Sequence, residues 1–323
     1  MRAVQAVEFG PPGVLVPSEL PEPTAGPGQV VVGVKFAPVL FLDTQIRAGW
    51  GREWFPVTPP YTPGAGVAGA ITSVGEGVDP EWAGRRVVAD TAEGGGYLER
   101  AAVEAGRVVA IPEALGAAEA AALLHDGRTA MGLAEGADAR PGEWVLVLGA
   151  GGGLGILLVQ LAHEAGARVI GAARGKRKLD LARELGADVV VDYSHSDWPR
   201  QVLAATGGTG PDVVFDGVGG EIGLAAFGIT ARGGRFSAHG APSGGFAPID
   251  RQEAERRTVT VRGIEQVQFA PAEARRLTGR ALFEAVAARI RPIIGQRYPL
   301  ERAADAHRAV EARDVIGKTL LEI

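Results

Sequence analysis

Through the first third of the chain, apolar and polar positions alternate in short runs bounded by Gly and Pro. Runs at 1–8, 29–35, 64–74, 85–89 and 97–103 predict strands. Together they predict an all-β, barrel-like unit reaching to about residue 118. Near Glu113 the pattern changes, and an Ala-rich stretch at 117–124 predicts a helix. From Trp144 onward, continuous apolar runs alternate with segments of helical period. They read as strand 144–148, helix 153–165, strand 168–172, helix 178–185 and strand 188–191. Strand 212–216, helix 220–229, strand 234–238 and a strand near 258–262 follow. This alternation predicts an α/β fold with a doubly wound parallel sheet. Helices at 271–288 and 301–312 and a strand at 318–323 are expected to rejoin the first unit.

At 323 residues, with 46% hydrophobic and 22% charged positions, the chain is long enough for two ordinary globular domains. A net charge of −5 argues against a duplex-DNA partner, which requires a dense basic surface. The chain has no cysteine, which excludes disulfides, thiolate catalysis, iron–sulfur clusters and thiolate-ligated zinc. Its five histidines, His125, His163, His195, His239 and His307, include no pair at the His-x-x-x-His spacing, and no metal site is expected. Residues 1–8 lack the apolar core of a signal peptide, so a cytoplasmic location is expected. The apolar stretch 144–162 is interrupted by Gly149, Gly151, Gly152, Gly153 and Gly155, which suits strand, turn and helix better than a membrane span.

That stretch carries the sharpest chemical signal. After Val145-Leu146-Val147-Leu148 come Gly149-Ala150-Gly151-Gly152-Gly153-Leu154-Gly155 and a helical run. On the G-x-G-x-x-G template, Ala150, Gly152 and Gly155 take the three small positions. Gly152 lets a pyrophosphate approach the backbone, Gly155 lets helix pack on strand, and a helix starting near Gly153 offers unpaired N–H groups to the phosphates. Strand before and helix after make this a dinucleotide site rather than a bare glycine loop. An NAD site places an acid at the end of the second strand. This chain instead has Ala172-Ala173-Arg174-Gly175-Lys176-Arg177-Lys178 there, which suits a ribose 2′-phosphate and predicts NADPH. Gly317-Lys318-Thr319 is no P-loop, because position 312 is Ala, and a G-x-S-x-G elbow is absent.

With these features in place, the chain resembles the zinc-independent quinone oxidoreductase branch of the medium-chain dehydrogenase/reductase superfamily. The matching stretches include Asp43 to Gly49, Pro63-Gly64 with Val67-Ala68-Gly69, Val74 to Val78, Gly95-Gly96-Tyr97, Glu184 to Asp188 and Asp216 to Gly220. The resemblance implies a Rossmann NADP domain at about 121–262, inserted into a GroES-like catalytic domain formed by 1–120 and 263–323. It implies a substrate cleft between the two domains and a homodimer. By position, Lys178 and Tyr193, with Arg174 nearby, would hold the 2′-phosphate. Gly152, Gly153 and Leu154 would take the pyrophosphate, and Thr129, Val218, Gly240 and Lys318 would line the rest of the cofactor. The zinc-binding His of the alcohol dehydrogenases is Ala65 here.

The substrate side departs from the branch. An Asn-Pro-x-Asp segment is replaced by Leu40-Phe41-Leu42-Asp43, and a Tyr two residues later by Gln45. Leu40, Phe41, Trp50 and Tyr61 are expected to line the substrate, with Trp54 and Phe55 in the same region. Singly, each aromatic is more often core than ligand surface. No catalytic residue is evident, and Gln45 and Tyr61 are the polar candidates. His125 and His239 are expected on loops facing the cleft, where a histidine is still more often structural than catalytic. The expected activity is zinc-independent hydride transfer from NADPH to a quinone or similar conjugated carbonyl. An enone or enoyl-thioester reductase and a non-catalytic NADPH-binding protein are the alternatives.

Overall fold

The computed structural model describes residues 1–91 and 94–323. Two units emerge, one of Met1–Arg128, Pro271–Ala287 and Pro292–Ile323, the other of Thr129–Ala270 with Ala288–Arg291.

The first unit opens with β1 (Arg2–Ala6), β2 (Leu15–Glu19), β3 (Gln29–Val39), helix α1 (Phe41–Arg47), β4 (Gly66–Val74), β5 (Arg86–Asp90), β6 (Arg100–Glu104) and β7 (Val108–Ala110). Strand β3 organises it. Eleven residues long, it pairs antiparallel with both β4 and β6 and shifts register at Val31/Val32 and Val34/Phe36, so that it bends across the sheet. Val30, Val32, Val34, Val67, Ile71, Val87 and Val103 fill the enclosed core.

The unit is not all β. Helix α1 stands where only strands were expected, because the Asp43 carboxylate accepts from the Leu40 N–H at 2.8 Å and caps a segment whose Thr44 and Ile46 are poor helix formers. Helix α2 (Ala117–Ala137) also outruns its prediction, continuing through Gly127. His125 therefore lies buried on a helix, not on a loop.

The second unit is an all-parallel sheet. It contains β8 (Trp144–Leu148), α3 (Gly153–Glu164), β9 (Arg168–Ala173), α4 (Lys176–Glu184), β10 (Val189–Asp192), α5 (Trp198–Ala205), β11 (Val213–Asp216), α6 (Gly220–Ile229), β12 (Arg235–Ala238), α7 (Arg251–Arg256) and β13 (Thr260–Arg262). The strand order is β10-β9-β8-β11-β12-β13, so the order reverses between β8 and β11. Val145, Leu146, Val147, Val213, Val214 and Phe215 are buried, as strands covered on both faces require.

The chain then returns to the first unit through α8 (Pro271–Val286), β14 (Ile294–Pro299), α9 (Ala303–Glu311) and β15 (Lys318–Glu322). β15 pairs antiparallel with β3 and parallel with β14. Gly127 belongs to this packing, since a Cβ there would stand 2.8 Å from Ala281 Cβ on α8. Among the described residues no helix is long and apolar enough to cross a membrane.

Candidate functional site

In the second unit the loop between β8 and α3 is built almost without side chains. Gly149 takes φ +76°, and the Gly149 and Ala150 N–H groups donate to the Ala172 carbonyl at 2.9 and 3.0 Å. Gly152 N–H closes the turn on Gly149 O at 2.9 Å and is the N-cap of α3. A Cβ at Gly155 would lie 2.2 Å from Gly149 O, so that glycine sets the distance of helix from strand. A Cβ at Gly152 would meet only Gly149 O, at 3.5 Å, leaving one side of the loop open. No side chain caps α3, so the first-turn N–H groups at Gly153 and Leu154 are left for an anion.

Beside this loop lies the basic turn after β9. Gly175, at φ +87°, donates to Asp192 Oδ2 at 2.9 Å, and Arg174 is exposed. Lys178 is laid over the loop, for a Cβ on Gly151 would stand 2.6 Å from its Cβ and Cγ. Tyr193 follows β10, its N–H donating to Ala173 O at 3.3 Å. Asp192, overlooked in the sequence, is an acid close to this turn. Its carboxylate is taken up by the Gly175 and Ser194 N–H groups and the Ser194 hydroxyl.

At the ends of β11 and β12, the His239 and Gly240 N–H groups donate to Asp216 O at 3.1 and 3.0 Å. A Cβ on Gly240 would come within 2.3 Å of the Gly217 carbonyl. Asp216 is fully buried, with Oδ1 accepting from the Val218 and Gly219 N–H groups at 3.0 and 2.8 Å, and burial raises its pKa. Val218 adjoins the glycine loop, since a Gly149 Cβ would lie 3.6 Å from its Cγ2. The structure thus gathers Gly152, Gly153, Leu154, Lys178, Val218 and Gly240 at one end of the sheet, with Arg174 and Tyr193 beside β9. Thr129 lies on α2 in this unit. Lys318 belongs to the first unit, where its ammonium donates to Asp126 at 3.0 Å.

The first unit holds a buried polar chain that motif spacing did not reveal. Asp43 Oδ2 accepts from the Leu40 N–H and, at 3.2 Å, from the Tyr97 hydroxyl. Tyr97 Oη is 3.0 Å from His307 Nε2. With its proton in the hydrogen bond to Asp43, the hydroxyl accepts from His307 Nε2–H, and His307 Nδ1 has no partner among the described residues. Burial pushes Asp43 up to about 6, Tyr97 well above the ordinary phenol range and His307 down to about 3. Arg47, also buried, pairs with Glu311 and donates to Gly10 O.

Around this chain stand the expected substrate residues. Phe41 and Tyr61 pack against the cluster containing Tyr97, and Arg313 covers the Phe41 ring at 4.6 Å. Leu40 precedes α1 and is half-buried. The Tyr61 hydroxyl is buried and has no partner among the described residues, and burial, with the Asp43 charge adding to it, raises its pKa to about 12. Gln45 reaches only Thr44 Oγ1, at 3.4 Å. Trp50 stands apart, its ring 5.6 Å from that of Trp54 and 6.3 Å from Phe55 in an exposed aromatic group. Among the described residues no three His, Asp or Glu side chains are grouped to hold a metal ion.

Residues 26–113 match the family described as "Alcohol dehydrogenase GroES-like domain", and residues 153–277 the one described as "Zinc-binding dehydrogenase". The chain is 31% identical to a quinone oxidoreductase of Rattus norvegicus, over 99% of this chain and 97% of the relative. It is also 31% identical to a 2-haloacrylate reductase of Burkholderia sp, over 97% and 96% respectively. The Escherichia coli quinone oxidoreductase, solved with NADPH, superposes with a TM-score of 0.93 at 26% identity over the whole of both chains. The curled antiparallel sheet, the doubly wound parallel sheet with its small-residue loop, and full-length likeness at this identity agree, and the chain belongs to the quinone oxidoreductase branch of the medium-chain dehydrogenase/reductase superfamily.

Proposed function

We propose that this protein is an NADPH-dependent oxidoreductase that passes hydride to a quinone or similar conjugated carbonyl without zinc. The observation that carries the reading is the open loop at Gly152 beside a basic turn with no acid at the end of β9. These residues fit the cofactor. The first-turn N–H groups of α3 would receive the pyrophosphate, and Arg174, Lys178 and Tyr193 the 2′-phosphate. Val218, Gly240 and Thr129 would line the remainder. When bound, NADPH supplies the hydride.

The relative from rat supports a quinone acceptor. Leu40, Phe41 and Tyr61 are proposed to line the acceptor's site, and Trp50, which stands apart from them, is left out of it. A quinone that has taken up hydride needs one proton to become the hydroquinone, and water can give it. The second reading, an enone or related reductase, is favoured by the Tyr61 hydroxyl. It stays protonated, has no partner among the described residues, and can donate to a carbonyl oxygen as charge develops there. The 2-haloacrylate reductase relative supports this alternative.

The proposal keeps the cytoplasmic homodimer that the sequence leads one to expect. Strand β13, with Thr260, Val261 and Arg262 all exposed, ends the parallel sheet among the described residues and offers its edge to a second copy. Sedimentation at two or more concentrations tests it.

The deciding experiment follows NADPH oxidation by absorbance against one panel of ortho- and para-quinones and one of enones and enoyl thioesters, with enzyme-free controls. Turnover of quinones supports the first reading, and turnover confined to enones supports the second. Silence in both panels, with NADPH still bound, leaves the binding-only alternative and refutes both.

A further inference from the structure

The carboxyl end of β12 carries a histidine that neither the glycine loop nor the basic turn requires. His239 follows the strand directly, and its Nδ1 lies 3.0 Å from Ser237 Oγ. The protons in that contact are fixed from the far side. Gln266 Nε2 donates to the Arg262 and Gly263 carbonyls at 3.0 and 2.7 Å, which turns its Oε1 toward Ser237. Ser237 Oγ must then donate its one proton to Gln266 Oε1, at 3.0 Å, and accept from His239 Nδ1–H. The ring is therefore the Nδ1–H tautomer, with a bare lone pair on Nε2. Burial pushes its pKa down to about 4, so it is neutral at pH 7. Among the described residues Nε2 has no hydrogen-bond partner, and it lies beside Gly217, whose added Cβ would stand 3.4 Å away.

The order β9-β8-β11-β12 says what reaches that lone pair. With the 2′-phosphate at the end of β9 and the pyrophosphate at β8, a dinucleotide extends its nicotinamide half over the ends of β11 and β12. Gly217, which also stands 3.3 Å from Leu148 O by its added Cβ, sits between β8 and His239. A bare nitrogen lone pair repels phosphate and carboxylate and recognises a neutral N–H or O–H. The nicotinamide half offers such donors in its carboxamide and its ribose hydroxyls. We propose that His239 is a positioning residue whose Nε2 accepts a hydrogen bond from the nicotinamide half of the cofactor, with Ser237 and Gln266 holding the tautomer. The proposal rests on the NADPH reading above.

The test is two-bond 1H–15N NMR of the wild-type protein, with His239 identified by the peak missing in His239→Phe, and with NADPH affinity measured separately by calorimetry. Nδ1 is expected protonated and Nε2 pyridine-like, with Nε2 moving upfield on saturation with NADPH. His239→Phe, its fold checked by circular dichroism, should weaken NADPH roughly three- to tenfold. Ser237→Ala should release the tautomer so that an Nε2–H population appears. NADPH binding with Nε2 unmoved overturns the role of His239 alone, as does a shift seen only when a hydroquinone is added. A failure of NADPH to bind the wild type overturns the cofactor reading on which it rests.

Discussion

Gly152 and Gly155 stand three residues apart, and the structure asks different things of them. An added Cβ at Gly155 would lie 2.2 Å from Gly149 O, 2.7 Å from Gly149 C and 3.0 Å from Ala150 Cα. All three are backbone atoms, so no side chain can swing aside, and α3 must move off β8 by roughly 1 Å to restore ordinary contact. Overpacking of this kind costs about 1–3 kcal/mol, against which Gly to Ala within a helix returns at most about 1 kcal/mol. Gly155→Ala should therefore lose about 1–2 kcal/mol, and a unit of roughly 150 residues should melt about 3–6 °C lower. At Gly152 the backbone, φ −88° and ψ 166°, suits any residue, and the weaker N-cap preference of Ala is offset by its smaller unfolded-state entropy. Its methyl group fills the open side of the loop instead. Gly152→Ala should melt with the wild type yet bind NADPH at least about tenfold more weakly, because the pyrophosphate can no longer approach the backbone. Scanning fluorimetry without ligand and calorimetric titration with NADPH separate the two. A Gly152→Ala protein that binds normally, or melts as low as Gly155→Ala, would refute the reasoning.

Lys178→Ala should weaken NADPH roughly ten- to a hundredfold, the worth of a charge-assisted phosphate contact, and spare NADH; equal loss of both removes the 2′-phosphate assignment. Tyr61→Phe takes away a buried hydroxyl that has no partner among the described residues, so it should not destabilise the fold; if enones are substrates it should slow their reduction about a hundredfold or more, with NADPH affinity unchanged. Stability should fall as pH drops from 6.5 toward 4, because burial holds His239 near 4 and His307 near 3, and likewise depresses His125, so the unfolded chain takes up their protons first. Asp43 opposes this. Its pKa, raised to about 6, gives a stabilisation that is complete below the unfolded value near 3.8 and lost as pH rises through 6. Asp43→Asn should thus steepen the acid loss between pH 6 and 4 by about 1.4 kcal/mol per pH unit, and denaturation curves with the wild-type slope would contradict it.

Where continuous apolar runs sat between glycines, the elements were legible almost to the residue: β8 at Trp144–Leu148 and α6 at Gly220–Ile229 coincide with their predicted bounds. Several of the elements that escaped carry conflicting local signals. β2 contains Pro17 and β14 contains Gly295 and ends at Pro299, while α7 is six mostly charged residues with no apolar stripe. Their structure comes from tertiary partners, β14 from its pairing with β15 and β2 from β1. The site divides in the same way. The glycine loop is local and can be read from its spacing, but Asp43, Tyr97 and His307 meet across separations of 54 and 210 residues, which no motif encodes. Helix α2 hid His125 for a related reason. Gly127 breaks the helical pattern in sequence, yet its missing side chain is what allows α8 to pack.

The cations of the basic turn and the polar groups around Tyr61 are set differently, and the difference matches what each would hold. In the second unit the cations of the turn after β9 are largely exposed, Arg174 and Lys176 among them, and can meet a phosphate at little desolvation cost. The pyrophosphate itself is met by backbone N–H groups, which need no counter-ion. In the first unit the polar groups near Tyr61 are buried and pushed toward their neutral forms: Tyr61 to about 12, His307 to about 3, and Asp43 up toward the physiological range. The buried charges there, Lys318 and Arg47, are paired with Asp126 and Glu311. A quinone or an enone is uncharged until hydride arrives. Neutral hydrogen-bond donors in a dry setting discriminate between that ground state and the negative charge that develops on its oxygen, whereas a free cation would bind anions in place of the acceptor. The surroundings of Tyr61 would thus suit the uncharged acceptor proposed above.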